Sequence, residues 1–385
     1  MKVAVLLILA VAAVPTWTMQ TSGVSVRLRG VSAVSERVAW ASGAGSTVLR
    51  TSDGGATWQK LSVTNDALDF RDIDAIDSQT AYALAIGNGP ASRIYKTTDA
   101  GKTWTMQFKA EDEKVFLDAM SFWDARNGIV FGDSVDGKHY ILTTDNGGQT
   151  WTRVSTNNLP PALENEGAFA ASGTNIAIFR KTHAWIGTGA AAKARVLRTS
   201  DRGKTWHVAE TPLAAGPSAG IFSIAFRDAK HGVIAGGDYR KEKEAVDNLA
   251  VTKDGGVTWT LVKGLSGFRS VVAYFPLTKT LVALGPSGGD YLKEKEAVDN
   301  LATTSDGGVT WSLVKGLSGF RSVVAYVPGT KTLVALGPAG GDYSTDDGQT
   351  WKSIEGPGFD TFSFAPGKPI GWGAGNNGAL GKLTF

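Results

Sequence analysis

The sequence predicts an all-β protein, a single β-propeller of four-stranded blades, and three observations carry that prediction. One eight-residue motif, Thr/Ser-x-Asp-x-Gly-x-Thr-Trp, recurs seven times at blade-like intervals. The 385 residues include 48 Gly and 12 Trp, and only 19% are charged, a composition suited to tight turns and large buried rings. Short runs that alternate apolar and polar residues flank each motif, which is the period of a half-buried strand.

The chain opens with Lys2 and an unbroken apolar run from Val3 to Val14 that ends in small residues, Ala10, Ala12 and Ala13. One positive charge, a short apolar core and an Ala-x-Ala pattern make residues 1–16 a signal peptide. The run is shorter than the roughly 20 residues a spanning helix needs, although an uncleaved anchor is the alternative. No other segment could cross a bilayer. The expected mature protein is residues 17–385, exported to the periplasm or beyond, as one domain.

The seven motifs run TSDGGATW (Thr51–Trp58), TTDAGKTW (Thr97–Trp104), TDNGGQTW (Thr144–Trp151), TSDRGKTW (Thr199–Trp206), TKDGGVTW (Thr252–Trp259), TSDGGVTW (Thr304–Trp311) and STDDGQTW (Ser344–Trp351). Their Trp residues lie 46, 47, 55, 53, 52 and 40 apart, close to one blade per repeat. Asp53, Asp99, Asp201, Asp254, Asp306 and Asp346, with Asn146 in the third copy, are expected to accept hydrogen bonds from their own turns. The Gly supplies a positive φ, and Trp58, Trp104, Trp151, Trp206, Trp259, Trp311 and Trp351 open the next strand and bury a ring. This is the BNR or Asp-box repeat, and its role is structural.

Residues 236–287 and 288–339 are near copies offset by 52, differing at seven positions such as Arg240/Leu292 and Val251/Thr303. The repeat unit is therefore one whole blade. After Trp351 three strand-like runs remain, Phe359–Pro366, Pro369–Gly375 and Ala379–Phe385, and none carries a box. Trp17-Thr18-Met19-Gln20 repeats the post-box Trp104-Thr105-Met106-Gln107 and can supply the missing outer strand. Seven boxed blades and one shared blade make eight. The alternative is seven blades with a frayed tail.

The box series, with stretches such as LDFRDIDAIDSQTAYAL, AFRDAKHGVIAGGDYRK and GGDYSTDDGQTW, resembles the photosystem II stability/assembly-factor-like family, in its exported bacterial, non-photosynthetic branch. The resemblance spans essentially all of residues 17–385. It implies a propeller of seven blades, from which the near-identical extra blade departs, and an Arg patch that binds a partner protein.

Several other classes are excluded. With no Cys there is no disulfide framework, thiolate metal site or Cys nucleophile. A formal charge of +3, without a basic stripe interleaved with aromatics, does not describe a nucleic-acid binder. His139, His183, His207 and His231 lack ligand spacing, so no metal is expected. There is no dinucleotide fingerprint, and the Gly-Lys-Thr steps at 101–103 and 203–205 lack the upstream Gly of a phosphate loop, so no cofactor is expected. Gly216–Gly220 and Gly285–Gly289 fit G-x-S-x-G but precede no helix. The nearest approach to the sialidase Arg signature, Phe179-Arg180-Lys181, fails.

The candidate site lies at the starts of the innermost strands, at the channel mouth. Arg29, Arg71, Arg269 and Arg321 occupy one step of that series, and Asp118, Asp360 and Glu166 supply its carboxylates. Aligned around a ring, these groups can form a polar docking face for a protein or peptide, since the Arg fork clamps carboxylates and carbonyls. Alternatively they pair with one another across the mouth. The charge-rich Arg240–Asn248 and its copy Leu292–Asn300 read as a rim loop or a solvated insertion. The sequence thus predicts a monomeric, non-catalytic binding or assembly-factor-like protein. The alternative is an Asp-box glycoside hydrolase or glycan binder that uses carboxylates such as Asp118, Glu166 and Asp360.

Overall fold

A computed structural model describes residues 14–169, 173–241, 244, 247–265, 267–274, 281–285, 301–314, 317 and 319–385. Among these residues the strands form eight antiparallel four-stranded sheets, arranged as the blades of a propeller. Numbered from the first innermost strand, blades 1 to 8 begin with Leu28–Ala33, Asp69–Ala75, Leu117–Phe122, Ile176–Phe179, Ala219–Phe226, Val271–Tyr274, Val323–Tyr326 and Thr361–Phe364. Blades 1 to 7 are meanders of consecutive strands. Blade 8 takes Thr361–Phe364, Ile370–Ala374 and Leu380–Thr384 from the C-terminus and Thr16–Gln20 from the N-terminus, in register Thr16 to Thr384 and Gln20 to Leu380. The eight-blade count is thus the observed one, and the ring closes by sharing a blade between its two termini.

The boxes explain how one blade joins the next. In the first, the Thr51 hydroxyl donates to Asp53 Oδ1 at 2.8 Å and accepts from the Gly55 N–H at 2.9 Å. Asp53 in turn accepts from the Thr57 N–H at 3.0 Å and the Thr57 hydroxyl at 2.6 Å. The same clasp recurs in the boxes of Asp99, Asp201, Asp254, Asp306 and Asp346. It presents the box Gly and Trp to the preceding blade. Trp58 packs on Trp372 of blade 8, and Trp104 meets Trp40 of blade 1 edge-on with ring centroids 6.0 Å apart. Trp151, Trp206, Trp259, Trp311 and Trp351 each join a cluster with the blade before their own. Gly101 has φ 85°, and a Cβ there would stand 2.4 Å from Leu61 of blade 1, so both backbone conformation and close approach require Gly.

Blade 8 has no box, and Trp17 fills the corresponding place. Its ring lies 4.4 Å from Phe359 and joins the cluster of Val334, Tyr343 and Ile354 of blade 7. The inner edges of the blades are protected in a related way. Ser363 accepts from the Ala33 N–H, Ser32 from Ala75 and Ser223 from Val272, each at 3.1 Å and each across a blade boundary. Side chains of one blade thereby satisfy edge amides of the next.

Blades 6 and 7 show the 52-residue offset directly, since Val271 pairs with Leu284 and Val323 with Leu336. The copy Leu292–Asn300, Ser287 of the second G-x-S-x-G match and residues 1–13 of the leader lie outside the described residues. Around the first match, Ser218 leads into a strand rather than a helix.

Two outcomes follow from this packing. Trp17→Ala should cost about 3 kcal/mol, the low end for Trp because the ring is half-buried. Hydrogen exchange should then rise first in Leu380–Thr384, whereas a uniform rise around the ring would contradict the closure. The Thr258 hydroxyl and amide also hold the Asp254 carboxyl down, to about 2, against the opposing effect of burial. Asp254→Asn should therefore melt above Asp254→Ala, because Asn146 already serves one box, and the gap between parent and Asp254→Asn should shrink as pH falls from 3.8 towards 2.

Candidate functional site

The two faces of the ring differ in chemistry. The boxes and the first hairpin of each blade lie on one face. The other carries the starts of the innermost strands and surrounds the channel mouth. There the pairing shifts by one residue between Leu28 and Gly30, Phe70 and Asp72, Leu117 and Ala119, and Ile221 and Ser223. The skipped residues are Arg29, Arg71, Asp118 and Phe222. Each is the extra residue of a β-bulge, and a bulge re-aims a side chain out of the sheet's alternation. The partner strand meets the first bulge with Gly43, where a Cβ would come within 2.3 Å of the Arg27 carbonyl.

The candidate residues divide into two groups. Arg29 is half-buried and donates to Asp69 Oδ2 at 3.0 Å. Arg27, one residue before the bulge pair, forks onto Asp360 at 2.6 and 3.1 Å and remains 45% exposed. Arg71 lies half-buried beside them, and burial together with the Arg29 charge lowers its pKa to about 10. These five residues join blades 8, 1 and 2 in one accessible polar patch.

The others are enclosed. Arg321 is fully buried, held by Asp342 with Nε to Oδ2 at 2.7 Å, and Arg269 is equally buried. The expectation of a docking face running round all these positions is therefore corrected: Arg269, Arg321, Asp118 and Glu166 are buried. Glu166 also stands off the series. Blade 4 begins at Ile176, and Gly167 reaches the sheet only through an isolated bridge to Gly189. The Glu166 carboxylate is clasped by Arg195, accepts from Thr188 at 2.7 Å and from the Leu163 N–H at 2.9 Å. Breaking so buried a pair from one side costs about 3–5 kcal/mol. The role of this clasp is to hold the long connection between blades 3 and 4.

Asp118 lies against Asp133, and burial, then the neighbouring carboxylate, raises its pKa well above the usual range. Asp133 accepts from the Ala168 N–H at 3.3 Å. Farther along the inner strand of blade 2, burial raises Asp72 to about 6 against the opposing Met120 N–H. Burial and then Asp72 raise Asp74 to about 7. Of the three glycosidase candidates, Glu166 is held by Arg195, Asp360 by Arg27 and Asp118 by contact with Asp133. Among the described residues no group of three or more His, Asp or Glu could hold a metal ion.

Sequence reasoning missed Arg27, Asp69 and Asp133. It also missed an aromatic group at the mouth between the connection into blade 4 and blade 5, where Phe169 stacks on Phe222 at 3.9 Å with Tyr239 at 6.1 Å from both. The bulge has a signal in the sequence at three of its four occurrences, where Gly43, Gly132 and Gly236 face it, while Ala85 faces the bulge of Arg71.

Fold and mouth together define a β-propeller with a charged, bulged channel entrance. No protein-family model matches the chain, and no curated protein matches it. Among solved structures it is similar to one described as "YCF48 bound to D1 peptide", at 16% identity and TM-score 0.51, covering 97% of this chain and 100% of that one. YCF48 from Cyanidioschyzon merolae gives 16% identity and TM-score 0.57, covering 96% and 98%. A GH74 xyloglucanase from Xanthomonas campestris gives 14% and 0.43, covering 92% of this chain and 59% of that one. At these identities the likeness is one of fold.

Two ionisable groups, the buried His139 and the half-buried Asp74, give opposed pH effects. Burial lowers His139 to about 4 from 6.5, so its contribution is present above 6.5 and lost as pH falls towards 4. Asp74, raised from 3.8 to about 7, contributes below 3.8 and loses that contribution as pH rises through 7. Melting curves should show His139→Gln flattening the acid slope. Asp74→Asn should raise the midpoint at neutral pH and leave it unchanged near pH 3.8; the reverse pattern would contradict these environments.

Proposed function

We propose that this chain is an exported, non-catalytic propeller that binds a protein or peptide segment at the mouth formed by blades 8, 1 and 2. The observation that carries the reading is the bulge pair. Arg29 and Arg71 are turned out of neighbouring inner strands and stand together with Arg27, while the buried pairs elsewhere at the mouth are committed to the fold.

Three guanidiniums within one patch suit carboxylates and peptide carbonyls, because the Arg fork makes paired, directional hydrogen bonds. Their present partners are replaceable. The Arg27–Asp360 and Arg29–Asp69 pairs are partly exposed, and ion pairs of this kind are worth about 0–1 kcal/mol. A ligand carboxylate can exchange for Asp69 or Asp360 at little cost. A peptide-bound neighbour of the same fold supports the reading, as does the resemblance of the box series to exported assembly-factor-like propellers. Residues 1–16 would act as the leader, 17–385 as a monomeric domain, and the periplasm or the cell exterior as the location.

The test uses the mature protein as bait in an extract of the exported fraction, beside an Arg29→Glu/Arg71→Glu double variant shown by circular dichroism to fold. A partner retained by the first and lost by the second, at least about tenfold by titration, is the expected result. Equal retention by both would overturn the mouth as the binding face. Arg269 and Arg321 are left unchanged, since charge reversal there would break the core.

A further inference from the structure

The third box differs from the others by one atom type, and that difference carries chemistry. Asn146 stands where six boxes have Asp, and it is followed by Gly147. In those six the Thr hydroxyl donates to the carboxylate, as Thr57 does to Asp53 Oδ2 at 2.6 Å. In the third the direction is reversed: Asn146 Nδ2 donates to Thr150 Oγ1 at 2.9 Å. Oδ1 keeps its usual duties, accepting from the Thr144 hydroxyl at 3.0 Å and the Thr150 N–H at 3.1 Å.

We propose that Asn146 is a hydrolytic modification site gated by folding, whose aspartate product completes the box. An Asn followed by Gly is open to attack on its carboxamide by the next backbone nitrogen, because Gly has no Cβ to hinder the approach. The Gly147 nitrogen bonds to Asn146 Cγ and the Cγ–Nδ2 bond breaks. The displaced nitrogen leaves as ammonia, taking the amide proton. Water then opens the resulting cyclic imide at either carbonyl, giving aspartate or isoaspartate. The balance is one water consumed and one ammonia released, with no oxidant or reductant.

Folding suppresses the first step. The carboxamide is held by three hydrogen bonds to Thr144 and Thr150, and the attacking Gly147 N–H is engaged by the Arg126 carbonyl at 2.8 Å. All must open together. The sequence supplies internal comparisons, since Asn88, Asn127 and Asn377 also precede Gly. Asn127 is likewise engaged, with Nδ2 on Asp124 at 2.7 Å. The N–H groups of Gly89 and Gly378 are engaged as that of Gly147 is, by the Val115 carbonyl at 2.8 Å and the Val26 carbonyl at 2.7 Å, so the contrast lies in the carboxamide: Asn88 makes no side-chain capping bond, and both Asn88 and Asn377 are exposed.

The two products have opposite effects. Aspartate at 146 accepts from the Thr150 hydroxyl like its six counterparts. Isoaspartate lengthens the backbone by one carbon just before Gly147, whose carbonyl accepts from the Tyr82 hydroxyl of blade 2 at 2.6 Å, and so disturbs the seam between blades 2 and 3.

Incubating the full-length protein in mildly alkaline buffer, native and in denaturant, followed by peptide mass mapping, tests both halves. The expected result is comparable modification at all four Asn–Gly steps in denaturant. In the native protein Asn146 should react at least about tenfold more slowly than Asn88 and Asn377. Native reaction at Asn146 as fast as at Asn377 would overturn the gating. Asn146→Asp should fold with a melting temperature equal to or above the parent's at neutral pH, and a lower one would overturn the claim about the product.

Discussion

The seam between neighbouring blades is the interaction on which the rest depends. A single four-stranded sheet buries too little to be stable alone, so each blade must find its core against the next. The box solves this locally. Thr, Asp and the second Thr close a short hydrogen-bonded turn, and the closed turn lays a Gly and a Trp against the preceding blade. Because every box packs on the preceding blade and blade 8 has none, the seam between blades 7 and 8 must be made without a box. Trp17 makes it, carried by a strand from the opposite terminus.

The same geometry separates structure from function. The box face is dense with turns whose polar groups are occupied by one another, leaving little to offer a ligand. At the mouth the innermost strands break their alternation, and the bulges turn Arg29 and Arg71 outward while keeping the flanking Leu28 and Phe70 in the core. A bulge can thus place a charged group at an opening without interrupting the seam. Blades 4 and 7 use charge differently there, in buried pairs: Arg195 holds Glu166 of the connection between blades 3 and 4, and Asp342 holds Arg321 within blade 7.

The fold was legible because its signal is repeated: seven copies of the box at blade spacing, and the echo of Trp104–Gln107 in Trp17–Gln20. The site was only half legible. Position in the series located Arg29 and Arg71 but placed Arg269 and Arg321 at the same step, whereas in the structure these two lie one residue earlier, against Gly285 and Gly337 as Leu28 lies against Gly43, and are buried as Leu28 is. Glu166 was misplaced for a local reason, since a run of residues intervenes between its bridge at Gly167 and the strand at Ile176. Arg27 gave no signal at all, because its role arises only when blade 8 closes against blade 1 and brings Asp360 to it.

The proposed function makes the two faces unequal, with binding at the mouth and construction at the boxes. Hydroxyl-radical footprinting of the protein alone and with its captured partner is the measurement to make, because reactive side chains on both faces report in one experiment. Protection is expected only at the mouth of blades 8, 1 and 2, at the half-buried Val24 and Val26 and at Arg27, Arg29 and Arg71, with Met106 and the box hairpins unchanged. Protection centred on the box hairpins, with the mouth still open, would contradict it.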